Sequence, residues 1–465
     1  MQTESSEAVV KKTSLARDLT QGNVTHQLIR FSLPFLMANL LQTFYGLTDM
    51  LIVGRVVGST GLSAISNGGD LQNLFTFLGV GFTSAGQIII AQYLGAKDRK
   101  GVKNTIGTLF TCVFALSLVL MVIGLLFTDT FLRLLQVPDA AFAQAKDYSI
   151  VAFTGIVFVY GYNVVSGILR GIGDSRHPFY FVAISVTLNV FLDLLFVAVF
   201  GMGAKGAALA TVIGQAVAFV ISIIFLYRRR EDFGFDFALS SFFPHSEVLK
   251  TIFRMGIPLA VRSTAIQFSM LFVASHINAY GVAASAITGV GNKILNIATM
   301  ITTSLEMAGC SMVGQNFSAG RTDRVRQIIH TSFVIGLFFT MLLALVLVIW
   351  PQQVFRIWTN DPEVLALVPK FLPVAVLELL GFALRAPCQM LVNGIGFVSL
   401  SFISGLMDGV VLRIGLALLF GDVCGLGIVG YWYGTALAGF TACFMIAPYY
   451  FSGAWKKRKP VIQKK

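Results

Sequence analysis

Three carboxylates stand inside apolar stretches of the first half of this sequence: Asp49, Asp70 and Asp193. No Lys or Arg is embedded in the same half to neutralise them. A carboxylate desolvated without a counter-charge favours its protonated form or recruits a cation, which is the chemistry of ion coupling. Asp49 ends a polar stripe of Asn39, Gln42, Tyr45/Gly46 and Asp49 at spacings of three to four, one face of a helix. Asn189 and Asp193, four residues apart, share a face of another helix, as do Asn163 and Ser166, and Thr211 lies in a further apolar stretch. Pro34 precedes Asp49 on the same stretch, removes a backbone hydrogen bond and lets that helix bend. Asp70, beside Asn67 and Asn73, reads as lining a wet cleft rather than as an ion ligand. The plainer reading of such groups is interhelical hydrogen bonding, contributing about 1 kcal/mol per contact. For Asp49 and Asp193 the cost of an embedded charge favours function; for Asn163, Asn189 and Thr211 both readings stand.

The second half is different. Glu306, Glu378 and Asp408 are matched by Arg262, Arg385 and Arg413, and a paired acid is structural. This asymmetry assigns ion coupling to the first half. Glu306 closes a stripe of Asn292, Asn296, Thr299 and Thr303, and either meets a cationic substrate or pairs with Arg262. Glu378 and Arg385, seven residues apart, are separated by about 10 Å along a helix, so ion-pair scaffolding with separate partners is expected. Gln42, Tyr45, Asp70, Asn296, Glu306 and Glu378 are candidates to line a substrate cleft, with some of the 14 methionines and 41 phenylalanines as its adaptable apolar wall. Enzyme chemistry finds no support. The glycines of 167–173 follow no strand and no GxxxxGK[ST] occurs, the five histidines are isolated, and five single cysteines have no metal spacing. No cofactor is expected.

These side chains need membrane helices to hold them. Of 465 residues 56% are hydrophobic and 12% charged, half the charge of a typical soluble domain. Stretches such as Thr105–Phe127, Phe179–Phe200 and Thr331–Trp350 are each long enough to cross a hydrocarbon core as a helix of about 20 residues. The fold class is all-α, with twelve transmembrane helices at about 25–53, 60–93, 102–127, 140–170, 177–200, 204–227, 247–279, 284–317, 323–350, 362–393, 397–420 and 425–452. The net charge of +12 comes from loops and termini, an orientation pattern rather than a nucleic-acid groove. One side carries Lys97, Arg99, Lys100, Lys103, Arg170, Arg176, Arg228–Arg230, Arg321, Arg324 and Arg326, with Lys11, Lys12, Arg17, Lys456–Lys459, Lys464 and Lys465. The other has only Arg55, Arg133, Lys205, Arg356 and Lys370, diluted by five acids. The positive-inside rule then places both termini in the cytoplasm. Residues 1–24 are polar and do not read as a signal peptide.

The second half restates the first at an offset of 222 to 224. Arg30-x-x-x-Pro34 returns as Arg254-x-x-x-Pro258, Ser63-Ala64-Ile65 as Ser285-Ala286-Ile287, Gln92 as Gln315, and Gly171-Ile172-Gly173 as Gly394-Ile395-Gly396. An offset of six helices gives parallel repeats with a cleft between them, a transporter architecture. The expected division is a tail at 1–24, an N-lobe at 25–227, a basic linker at 228–246, a C-lobe at 247–452 and a basic tail at 453–465.

Phe31-Ser32-Leu33-Pro34 with Asp49, Gln92-Tyr93-Leu94-Gly95-Ala96, and Gly167-Ile168-Leu169-Arg170-Gly171-Ile172-Gly173-Asp174 make a recognisable set. Asn189-Val190-Phe191-Leu192-Asp193 and Gly203-Ala204-Lys205-Gly206-Ala207-Ala208 complete it. From about residue 24 to 450 the chain resembles the multidrug and toxic compound extrusion (MATE) family, and within it the prokaryotic DinF-like branch. The resemblance implies a V-shaped pair of six-helix lobes in the prokaryotic inner membrane. It implies alternating-access export of amphipathic, cationic drugs or toxic metabolites in exchange for protons or sodium ions, by a monomer embedded in lipid. It also implies that Asp49, Asn163, Asn189, Asp193 and Thr211 form one polar network that would hold a proton or sodium. Ser166 stands where that branch has asparagine, so one ligand of a sodium site is altered. The alternative function is a flippase for a lipid-linked saccharide or other amphipathic lipid, whose cavity would be basic; Arg262, Arg385 and Arg413 keep it open.

Overall fold

Hydrophobic stretches with satisfied backbones become helices, and the computed structural model, which describes residues 17–462, contains no β-strand among them. Lys11, Lys12, Lys464 and Lys465 lie outside the described residues. The long helices are α1 (Val24–Val56), α2 (Ser59–Gly95), α3 (Arg99–Leu126), α4 (Asp139–Thr154), α5 (Ile156–Gly171), α6 (Arg176–Val199) and α7 (Gly203–Arg228). They continue as α8 (Ser246–Asn278), α9 (Val282–Ser318), α10 (Thr322–Ile349), α11 (Val368–Gly394), α12 (Val398–Val423) and α13 (Ile428–Phe451). Ten are long and apolar enough to cross a membrane, and α4 with α5, bent by 46° at their junction, form an eleventh span. The twelfth, α9, is diluted by its polar stripe but is the 37-residue counterpart of the 37-residue α2. The chain is a multi-pass membrane protein.

The repeat read from a few short motifs extends to the backbone. α3 and α10 are both 28 residues long, and α1 and α8 both 33. Gly58 and Gly281, which start α2 and α9, both have positive φ (86° and 103°), a conformation that glycine adopts without the Cβ clash. The end of α6 is a π-helical turn, Leu194–Val199, and α12 ends in one at Leu419–Val423. A second π turn, Met407–Arg413, has no counterpart, since α6 is regular over Arg176–Asp193.

Contacts divide the chain into two units. Among the described residues the first comprises 17–18 and Pro34–Ala260, the second Leu19–Leu33 and 261–462. The division cuts α1 at Pro34, the residue that cannot donate a helical hydrogen bond. In the first unit the segment ahead of α8 lies on α3. His245 donates its backbone N–H to Thr108 Oγ1 at 3.0 Å, and Lys103 pairs with Asp236 at 2.7 Å, holding that carboxyl well below the usual carboxylate range with help from the Ser241 hydroxyl. In the second unit the segment ahead of α1 is held in the same manner by the α9–α10 corner. Gln315 Oε1 accepts from the Leu19 N–H at 3.0 Å, Asn316 donates to the Leu19 carbonyl at 3.0 Å, and Arg324 donates to the Gly22 carbonyl at 2.8 Å. The core of the second unit gathers Leu379, Phe371 and Trp432, whose indole donates to Thr288 at 2.8 Å.

Candidate functional site

Within the first unit, α1, α6 and α7 bring five of the predicted site residues together. Tyr45 and Thr211 share a hydrogen bond of 2.6 Å between their hydroxyls, and Asn189 donates its amide to Thr211 Oγ1 at 3.4 Å. Helical spacing on α1 puts Asp49 one turn beyond Tyr45, and on α6 puts Asp193 one turn beyond Asn189. Asp49 is 5% exposed and Asp193 wholly buried. The two carboxylates sit close enough to act electrostatically on each other and on the phenols of Tyr45 and Tyr148.

The acceptors in this cluster outnumber its donors. Asp49 Oδ1, Asn189 Oδ1 and both carboxylate oxygens of Asp193 are buried without a hydrogen-bond partner. Leaving a buried polar atom unpaired costs about 1–3 kcal/mol, and more for a charged one, so four together make a site that a cation or added protons would complete. Arg170, a buried guanidinium of this unit, is committed elsewhere and donates to Gln87 Oε1 at 2.9 Å. Sequence reading put Arg170 in a loop. It is instead 9% exposed in the last turn of α5, but it forms no ion pair with Asp49 or Asp193.

Ser166 is buried, with Oγ unpartnered, and Asn163 is half-buried on the same helix; neither is hydrogen-bonded to Asp49, Asn189, Asp193 or Thr211. The structure thus joins Tyr45, Asn189 and Thr211 by hydrogen bonds, adds the two aspartates by proximity, and leaves the α5 pair apart. Gln42 and Asp70 are exposed, and Asn67, beside Asp70, turns back to the Ser63 carbonyl at 2.8 Å. Tyr148, on α4, is the member that sequence reading missed. Its ring occupies the space left by Gly68 of α2, where a Cβ would lie 2.5 Å from the ring. Neither residue has a spacing signal, because their pairing depends on two helices meeting.

The second unit overturns the expected one-to-one matching of acids and arginines. Asp408 takes two partners, Arg413 at 2.7 Å and Arg385 at 3.8 Å. Glu306, Glu378 and Arg262 form no ion pair; Glu306 accepts only from Asn393 at 3.4 Å. The scaffolding expectation holds for Arg385 but not for Glu378, which lies half-buried with Arg413 as its charged neighbour. The reason is the π turn. Its i→i+5 pattern lets Asp408 and Arg413, five apart, meet on one face, which α-helical spacing would not do. Asn296 is exposed on α9.

The MatE family model matches residues 34–195 and again 258–419, one match in each half. Probable multidrug resistance protein YoeA of Bacillus subtilis (strain 168) is 27% identical over 99% of both chains. Probable multidrug resistance protein NorM of Thermotoga maritima is 25% identical over 94% of both. Among solved structures, a MOP superfamily transporter from Pyrococcus furiosus, described as having a binding pocket of reversed polarity, superposes with a TM-score of 0.88 at 22% identity, covering 96% of this chain and all of that one. A multidrug resistance MATE transporter in an outward-facing conformation gives the same TM-score and identity.

Proposed function

The chain belongs to the MatE family, and on that premise we propose that it is a secondary active antiporter of the prokaryotic inner membrane, exporting amphipathic cationic compounds in exchange for protons or sodium ions. Both relatives are named for multidrug resistance, which supports the substrate class. The observation that carries the coupling is the set of orphaned buried acceptors on Asp49, Asn189 and Asp193. They suit a proton, which would turn a carboxylate into a donor, or a sodium ion, which takes oxygen ligands. Asn163 and Ser166 are reserve ligands that a rotation of α5 would bring in. The lobes are 25–227 and 247–452, and the termini face the cytoplasm, as the basic loops favour.

Ion entry at Asp49 and Asp193 neutralises two like charges that repel across α1 and α6. With the repulsion removed, α1 repacks about Pro34 and the substrate is released outward. The energy source is the inward ion gradient. Proteoliposomes loaded with a cationic dye under imposed proton or sodium gradients test this, with Asp49→Asn and Asp193→Asn beside wild type. Uphill export under one gradient, abolished by both variants, is expected, and the effective gradient names the ion. Normal gradient-driven export by Asp49→Asn would sink the scheme. Absence of dye movement by wild type under either gradient would favour the lipid-linked flippase instead.

A further inference from the structure

Arg262 of α8 is nine-tenths buried, and its Nε has no hydrogen-bond partner. Among the described residues it is the one arginine embedded in a span of the second unit without an ion pair. The other two share Asp408. Its stem is seated by shape: a Cβ at Gly405 of α12 would come within 2.2 Å of Arg262 Cγ, so this arginine needs a glycine opposite. The charged groups acting on the guanidinium are Glu306 of α9, Arg385 of α11 and Asp408 of α12, with the Cys310 thiol one turn from Glu306. Arg385 and Asp408 are engaged with each other. Glu306 is half-buried and accepts from the Asn393 amide at 3.4 Å rather than pairing with Arg262.

A guanidinium on α8 and a carboxylate on α9 thus lie in each other's field without joining. Desolvating an arginine without a partner is expensive in a membrane segment. A direct Arg262–Glu306 bridge would relieve that cost, yet none is formed: the arginine stem packs on Gly405 and Glu306 accepts from Asn393. Unpaired opposite charges at one site match a ligand that carries both. From this geometry we infer that Arg262 and Glu306 form a zwitterion-recognising pair. The arginine fork takes a substrate carboxylate, for which its planar donors are suited, and Glu306 takes the cationic group. The inference rests on the transport reading and extends its substrate class from cations to amphipathic zwitterions.

Two rhodamines that differ only in a free carboxylate or its methyl ester isolate the charge in question. Their binding to purified protein is read by fluorescence polarisation, and their export by proteoliposomes is read in parallel. Wild type is expected to bind the free acid at least about tenfold more tightly than Arg262→Gln does, with ester affinity unchanged within about twofold, because a site built for a polar group discriminates strongly against its loss. Arg262→Lys, keeping the charge without the fork, should retain part of the preference, and Glu306→Gln should weaken both dyes. Equal loss of both dyes in Arg262→Gln, no loss of either, or failure of wild type to bind the free acid would overturn the pair. Should Arg262→Gln not fold, Arg262→Lys decides: an unchanged acid-to-ester ratio overturns the pair and a reduced one supports it. Selective binding with no gradient-driven export would refute the antiport reading while leaving the pair standing.

Discussion

Asp408 and Arg413 show how one buried charge depends on its partner. The pair is 2.7 Å apart with both side chains about 4% exposed, and Arg385 reaches the same carboxylate only at 3.8 Å. Removing one member of a buried pair leaves a desolvated charge and costs about 3–5 kcal/mol. Arg413→Ala should therefore lower the Tm of the purified protein markedly, and adding Asp408→Asn should recover part of the loss, since the orphaned charge goes with it. A double variant no better than Arg413→Ala would mean that packing, not charge, is lost. The first-unit aspartates behave in the opposite sense. Asp193 has no partner on either oxygen, so Asp193→Asn removes a charge without breaking a bond. It should leave Tm unchanged or raised while abolishing coupling. Sequence made Asp49, Asp193 and the Asn189 face legible, because charge inside apolar runs is rare enough to be a signal. It did not reveal Tyr148, the burial of Arg170 or the release of Glu306 from Arg262, each of which depends on which helices adjoin.

At the scale of elements, the turn residues ahead of α1 are captured by side chains through their backbone. Arg324 is the hub, donating to the Gly22 carbonyl at 2.8 Å and to the Asn316 side chain at 3.0 Å. Arg324→Ala should speed hydrogen exchange of the Leu19 amide, whose acceptor Gln315 would lose the ordered neighbours that position it. Exchange within the middle of α10 should not change. Equal protection in both proteins would show that burial of Leu19 alone holds the segment. Sequence reading placed Arg324 among orientation charges, and nothing in its spacing marked the capture. The same limit applies to the π turn at Met407–Arg413: its residues, Met407-Asp408-Gly409-Val410-Val411-Leu412-Arg413, have ordinary helical character, and the extra residue per turn is stabilised by the Asp408–Arg413 bond and by Gly409 lying against the α8 backbone.

At the scale of the whole molecule, the proposed orientation puts the loop between α12 and α13 outside the cell. Cys424 lies in that loop and is exposed, whereas Cys112 and Cys310 are buried. A membrane-impermeant maleimide added to intact cells should label the chain, and Cys424→Ser should abolish the labelling. Labelling that appears only after the membrane is opened would invert the topology. Composition alone determined that this is a helical membrane protein, because 56% hydrophobic residues in runs of helical length have no other way to satisfy their backbones in lipid. The repeat was also in the sequence, since equal helix lengths and matched glycines must be encoded residue by residue. Which acids share a site was decided only by tertiary structure. A spacing of four places Asn189 beside Asp193 on one helix, but the meeting of Tyr45, Thr211 and Asn189 required α1, α6 and α7 to pack together. The same physics separated Glu306 from Arg262: local periodicity sets the face a side chain lies on, and packing between distant helices sets what that face meets.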